Sequence, residues 1–199
     1  MDYSFYALIS RMKNITRWSL MRNSFAENVQ EHSHMVAVIA HALALIRRDV
    51  YGRPCNPDRA ASIALFHDAS EIYTGDMPTP IKYFNPDIMT AYKEVEKLAA
   101  EKLITTLPME LQPAYRELLC GGDRELEELV KAADKLSAYI KCLEELKSGS
   151  GEFSHAAEQT LDKLKAMNMP EVDFFLEKFI PAFELTLDEL NFKREDERK

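Results

Sequence analysis

Between residues 28 and 49 the side chains Val29, His32, Val36, Ile39, Leu43 and Ile46 recur at spacings of three and four. That period places them on one face of an α-helix and fits no strand, whose side chains alternate every second residue. The stripe demands a helix over about 28–49 packed on a core, and it carries a histidine on its buried side. A second stripe, Leu126, Val130, Ala133, Ser137 and Ile140, predicts a long helix from the Cys120-Gly121-Gly122 break to about Lys147, ended by Ser148 to Gly151. Asp134 lies in that stripe. A buried carboxylate is costly unless it meets a cation or a full set of donors.

The rest of the chain reads the same way. A helix is predicted over about 2–14, then an irregular segment through Arg17, Trp18 and Arg22 without an apolar stripe. Asn56 is a natural N-cap and Pro57 suits the first turn of a third helix, which runs through Ile63 and Phe66 into His67, Asp68 and Glu71. From Tyr73 to Pro86, Gly75, three prolines and Asn85 rule out a continuous helix or central strand, so an ordered or lid-like loop is expected. Further helices are expected over about 87–106, between Met109 and Leu119, and on either side of Pro170. No strand-rich segment stands out, and the expected class is all-α, a single-domain helical bundle over 1–190 with a frayed, charged tail over 191–199.

Composition narrows the function. Twenty-five Lys plus Arg against 33 Asp plus Glu give a formal net charge of −8, which repels polyanions, so polymeric nucleic acid is a poor partner. The longest apolar run, Met35 to Ala40, is far short of the roughly 20 residues that span a membrane. No membrane association is expected. Cys55, Cys120 and Cys142 lack ligand spacing and are odd in number, which fits a reducing, cytoplasmic compartment.

His67-Asp68 sets an imidazole beside a hard carboxylate at a helix end leading into the Gly/Pro loop. Taken singly, such a pair is a helix-terminal hydrogen bond, His32 a satisfied core histidine, and Asp134 half of an ion pair. Together, His32, His67, Asp68 and Asp134 offer two imidazole nitrogens and two carboxylates to one divalent metal, with positions left for water and substrate. Glu71, four residues after His67 and three after Asp68, faces the same site if its helix continues, as a proton handler. His34 and His41 project elsewhere and His155 has no partner at ligand spacing. The phenylalanines from Phe174 to Phe183 read as a core or dimer face.

With Arg17-Trp18, the segments Glu27 to Ser33 (ENVQEHS), His67 to Glu71 (HDASE), Thr74 to Phe84 (TGDMPTPIKYF) and Lys131 to Leu146 (KAADKLSAYIKCLEEL) resemble the bacterial 5'-deoxynucleotidases among the HD-domain metal-dependent phosphohydrolases. The resemblance spans nearly the whole chain and fades beyond about Asn191. It implies a phosphomonoesterase that releases phosphate from 2'-deoxynucleoside 5'-monophosphates, rejects ribonucleotides and reads the base loosely. It implies metal ligation by His32, His67, Asp68 and Asp134, with Co²⁺, Mn²⁺ or a similar ion, one per subunit of a homodimer. Glu71 and Arg17 would be catalytic, Arg17 orienting the phosphate. Trp18 would fill the space of a ribose 2'-hydroxyl, and Asp76 would accept the sugar 3'-hydroxyl. Thr79, Pro80, Ile81 and Lys82 would line the nucleotide, with His32 and Asp134 bordering it. Two alternatives stay open: a triphosphatase or phosphodiesterase, which calls for more basic residues than Arg17, Arg22 and Lys82, and a binding module with no need of Glu71.

Overall fold

Side-chain caps decide where the long helices begin. In the computed structural model, which describes residues 3–82 and 84–190 apart from the Thr79 side chain, Asn28 closes a capping box at the start of α2 (Val29–Leu45): its side chain accepts from the Gln30 and Glu31 N–H groups, and Glu31 accepts from the Asn28 N–H. Upstream, α1 (Phe5–Ile9) is shorter than the periodicity predicts, because the chain tightens into a 3-10 turn at Ser10–Asn14 before Ile15 turns extended. Asn56 caps α3 (Pro57–Phe66), which has Pro57 in its first turn as expected. Past α2, a π-helical turn at Ile46–Val50 carries the chain on.

The segment after α3 departs from the sequence reading twice. His67 is the C-cap residue, and the helix breaks into turns before a short α4 (Glu71–Thr74), so Glu71 does not sit on a continuing helix. The expected loop is also partly helical. Gly75 ends α4 at φ 71°, a conformation that costs glycine little, and Thr79–Lys82 form the single turn α5. Asn85 then caps α6 (Pro86–Ile104), followed by α7 (Gln112–Leu119) and by α8 (Arg124–Lys147), which Asp123 caps. Two more helices, α9 (Ser154–Ala166) and α10 (Pro170–Lys178), and a 3-10 turn at Ile180–Glu184 complete the order. Among the described residues there is no strand, only an isolated bridge between Thr16 and Asn28. The class is all-α. The tail over 191–199 lies outside the described residues, as do Met1 and Asp2.

The main core joins α2, α3 and α8 through Val36, Ile39, Leu43, Ile63, Leu129 and Leu136, with α10 closing it through Val172 and Phe175. Phe174 and Phe183 pack against it while Phe179 stays exposed, so this aromatic run is largely core. No helix among the described residues is long and apolar enough to cross a membrane. A buried Arg47–Glu171 ion pair ties the π-helical turn to α10.

A second buried pair matters for the site. Lys141 and Glu145, one turn apart on α8, hold the far side of the 17–27 loop: Glu145 accepts the Ser24 and Phe25 N–H groups and Lys141 donates to the Phe25 carbonyl. Burial pushes the Glu145 carboxyl up, but the Lys141 ammonium and the Ser24 and Phe25 N–H groups outweigh it and bring it down to about 2. Because the folded state holds the lower value, this stabilisation is present above the ordinary carboxyl range and is lost as pH falls toward 2. Lys141→Met, which strands the carboxylate, is expected to cost about 3 kcal/mol at pH 7. Urea titrations of both proteins from pH 7 to pH 2 should show the gap closing with acid, and a gap independent of pH refutes the assignment.

Candidate metal centre and substrate cavity

Packing α2, α3 and α8 together brings His32, His67 and Asp68 to one point, with Asp134 of α8 against His32. The ligand atoms of His32, His67 and Asp68 all lie within 4.8 Å of one another. His32 Nε2 is 3.0 Å from Asp134 Oδ1 and 3.7 Å from Asp68 Oδ2, and His67 Nε2 is 3.1 Å from the same Asp68 oxygen. His67 Nδ1 donates to the Ala64 carbonyl at 2.7 Å, which leaves Nε2 facing the carboxylates, buried and without a well-directed hydrogen bond. On His32, Nδ1 meets the Ser137 hydroxyl at 3.2 Å, a contact that turns Nε2 toward the cluster when Nδ1 carries the proton.

This donor set fits a divalent cation. Imidazole lone pairs and carboxylate oxygens converge on one point, and an orphaned ring nitrogen is aimed at it. A proton is the weaker substitute: burial pushes His67 down, yet Asp68 beside it and Asp134 farther off raise it to about 9. Asp68 is lowered to about 2, its burial outweighed by His67 and His32. Asp134 is also held well below the usual range, its burial outweighed chiefly by His32.

One expectation about Asp134 needs correction. Its side chain is 38% exposed, because its stretch of α8 forms the floor of an open cavity rather than packed core. That cavity, of about 970 Å³, is walled by Arg17, Trp18, Asp76, Pro80 and Asp134, and across from them by His155 and Gln159 of α9.

The 17–27 loop is held at its neck beside the first turn of α2. Arg17 N–H donates to the Glu27 carbonyl and Val29 N–H to the Ile15 carbonyl, both at 2.9 Å. Arg17 is thereby brought to the His–Asp cluster, where Nη1 lies 3.4 Å from Asp68 Oδ2. Burial works against its charge, but Asp68, Asp134 and Glu27 outweigh it and raise its affinity for the proton. Trp18 adopts φ 58°, a left-handed conformation costing an aromatic residue of order 1–3 kcal/mol, and its ring rests on Phe153 with centroids 5.4 Å apart. Trp18 therefore packs on Phe153 and at the same time stands on the cavity wall.

Glu71 is buried beneath the cluster and does not line the cavity. Burial, then the neighbouring Asp68 and Asp76 charges, push its carboxyl up to about 9 against the opposing Arg17 and Lys82, so it holds a proton at neutral pH. Its Oε2 has no partner among the described residues. Asp76 is raised mainly by burial. Lys82 turns away, donating to Glu96 at 3.0 Å and lying over the Tyr92 ring, and Ile81 is exposed; neither lines the cavity. The Thr79 side chain lies outside the described residues.

Two residues of the site escape a reading by spacing. Ser137 sits on the buried stripe and its hydroxyl marks it only once His32 is known to be opposite. His155 lies on the wall, hydrogen-bonded to Gln159, although nothing about its spacing marks it. The wall's cations are Arg17, Lys135 and Lys163, whereas Arg22 is 96% exposed and paired with Glu152.

The chain matches the profile of the YfbR-like 5'-deoxynucleotidases over residues 4–183. It is 50% identical over 189 residues to a 5'-deoxynucleotidase of Yersinia pseudotuberculosis, an alignment covering 94% of this chain and 96% of that one. The chain belongs to the YfbR-like 5'-deoxynucleotidase family. A 5'-deoxynucleotidase of Photorhabdus laumondii is 48% identical over 94% of this chain and 96% of its own. This YfbR-like chain also resembles a Listeria innocua HD-domain phosphohydrolase, with 26% identity, a TM-score of 0.78 and coverage of 90% of this chain and 88% of that one. A cyanophage HD phosphohydrolase, solved with dA and one catalytic Zn²⁺, is 22% identical with a TM-score of 0.67, covering 92% of this chain and 99% of its own, which shows a shared fold. The YfbR-like chain is thus a hydrolase of the 5'-deoxynucleotidase type on an HD-domain scaffold.

Proposed function

We propose that this YfbR-like protein hydrolyses 2'-deoxynucleoside 5'-monophosphates to deoxynucleoside and phosphate, discriminates against ribonucleotides and reads the base loosely. The observation that carries this reading is the shared wall: Arg17 and Trp18, adjacent in sequence, line the cavity whose floor is Asp134 of the metal cluster. A phosphate gripped by Arg17 therefore has its sugar beside the indole.

His32, His67, Asp68 and Asp134 hold the cation, Mn²⁺ or Co²⁺ in this reading. When bound, such an ion lowers the pKa of water and neutralises charge on a phosphoryl oxygen. Arg17 orients the phosphate through the planar geometry of its guanidinium. Glu71, buried beside Asp68, is the proton handler in this reading. Asp76 accepts from the sugar 3'-hydroxyl, Trp18 occupies the space of a 2'-hydroxyl, and of the expected 79–82 segment Pro80 is the residue that flanks the nucleotide. The same reading takes a homodimer as the working form and the cytoplasm, where three free cysteines stay reduced, as the compartment.

The test is phosphate release from dAMP and AMP by chelator-stripped protein reconstituted with Mn²⁺ or Co²⁺. Metal-dependent turnover of dAMP with little of AMP is expected. In Trp18→Ala, the ratio of the two kcat/KM values should fall by about tenfold or more, since the exclusion is steric. An unchanged ratio removes Trp18 from sugar selection. Lys135 and Lys163 on the wall favour a second reading, a longer phosphate chain, and dATP in the same assay decides between them.

A further inference from the structure

We infer that Glu27 is a positioning residue that couples the phosphate grip to the sugar gate, one carboxylate oxygen holding both Arg17 and Trp18. This rests on the roles proposed above for those two residues. Glu27 Oε2 accepts from Trp18 Nε1 at 2.9 Å and from Arg17 Nε at 3.2 Å, and its side chain is only 14% exposed.

Each contact answers a need that the backbone leaves open. The left-handed turn at Trp18 sets where the side chain departs, but not the rotation of the indole about its own bonds. Phe153 supplies a surface for one part of the ring, and an apolar contact tolerates sliding. The N–H is directional, so its bond to Glu27 selects one orientation of the ring edge. On the guanidinium, Glu27 takes Nε–H while Asp68 takes an Nη1–H. Arg17 is thus pinned between the sugar gate and the metal cluster, with its plane set by two carboxylates on different sides. A chain of contacts runs Trp18, Glu27, Arg17, Asp68, and Glu27 is the one member that touches both the gate and the grip.

The anchors of the surrounding loop are separate from this function. The bridge at Thr16 and Asn28 closes its neck, and Lys141 with Glu145 holds its far side through backbone groups of Ser24 and Phe25. Removing the Glu27 carboxylate therefore frees two side chains while the loop stays tied. Glutamine is the informative replacement. Its carbonyl oxygen can still accept from the indole, whereas the charge that pairs with the guanidinium is gone.

The experiment uses the metal-loaded full chain and compares wild type, Glu27→Ala and Glu27→Gln. Steady-state constants are measured for dAMP and AMP, and acrylamide quenching of Trp18, the single tryptophan, reports the ring directly. Losing a charge-assisted hydrogen bond is worth roughly tenfold in an equilibrium. Glu27→Ala should lower the dAMP-to-AMP ratio of kcat/KM by about tenfold, raise KM for dAMP more than it lowers kcat, and make Trp18 more readily quenched. Glu27→Gln should restore the sugar ratio to within about threefold of wild type and keep the raised KM. A purely structural role would lower kcat/KM for both substrates alike, with no rescue of the ratio by glutamine, and would overturn the inference. So would an unchanged ratio in Glu27→Ala or, should that variant fail to fold, an unchanged KM in Glu27→Gln. If the wild type turns over neither nucleotide, the proposed function fails, and quenching still decides: equal quenching in wild type and Glu27→Gln at acid and neutral pH, with Glu27→Ala no different, means Glu27 does not hold the indole.

Discussion

Replacing Glu71 by alanine is expected to lower kcat for phosphate release from dAMP by about 10²–10⁴, the range that a positioned proton donor contributes. The carboxyl is buried, its upward shift comes first from burial and then from Asp68 and Asp76, and Oε2 has no partner among the described residues. Glu71→Gln keeps the size of the side chain and can still donate a hydrogen bond, but it cannot give up a proton, so it should be nearly as inactive as alanine. Metal content by atomic emission and helicity by circular dichroism should match wild type in both variants. A kcat within tenfold of wild type in Glu71→Gln would remove Glu71 from proton transfer. Loss of metal in the same variant would instead make it a support of the cluster.

Removing the cation should abolish turnover altogether, by more than about 10³-fold, while the chain stays folded. Folding without metal is expected because the cluster has its own substitute. The proton that Asp68 and Asp134 keep on His67, whose affinity is raised to about 9, offsets their charge at neutral pH. That proton competes with the metal. A cation can occupy Nε2 only when it leaves, so metal affinity should rise with pH up to about 9 and weaken toward acid. Adding Mn²⁺ or Co²⁺ at about one hundred times its dissociation constant should stabilise the fold by about 2.7 kcal/mol, read as a higher Tm. His67→Ala should lose both the activity and this metal-dependent rise. Activity that survives exhaustive chelation, with less than one metal per ten chains by emission, would refute a metal-dependent reaction.

The helical plan was legible because its signals are local. Asn28, Asn56 with Pro57, Asn85 with Pro86, and Asp123 each bond N–H groups within three residues, so the start of a helix is written in a short stretch of chain. The apolar stripes containing His32 and Asp134 are equally local, since residues three and four apart share a face whatever they later pack against. Family likeness supplied the remaining members of the site, Arg17 and Trp18 above all, because their segment has no periodicity to read.

Other features depended on groups far apart in the chain. The break after Phe66 puts Glu71 on a separate helical turn, yet leaves it buried under Asp68, which the spacing from His67 could not reveal. Asp134 occupies a core-like register and is nonetheless partly open, because the cavity rather than another helix lies over it. Glu27 belongs to a recognisable segment, but its grip on Arg17 and Trp18 requires the neck between Thr16 and Asn28 to close. Ser137 against His32 and His155 on the cavity wall need α2, α8 and α9 docked together. Turn-to-turn bonds along a helix span a few residues and follow from the local chain, whereas contacts such as Ser137 to His32 span a hundred and arise only when burial of the apolar stripes brings the helices side by side.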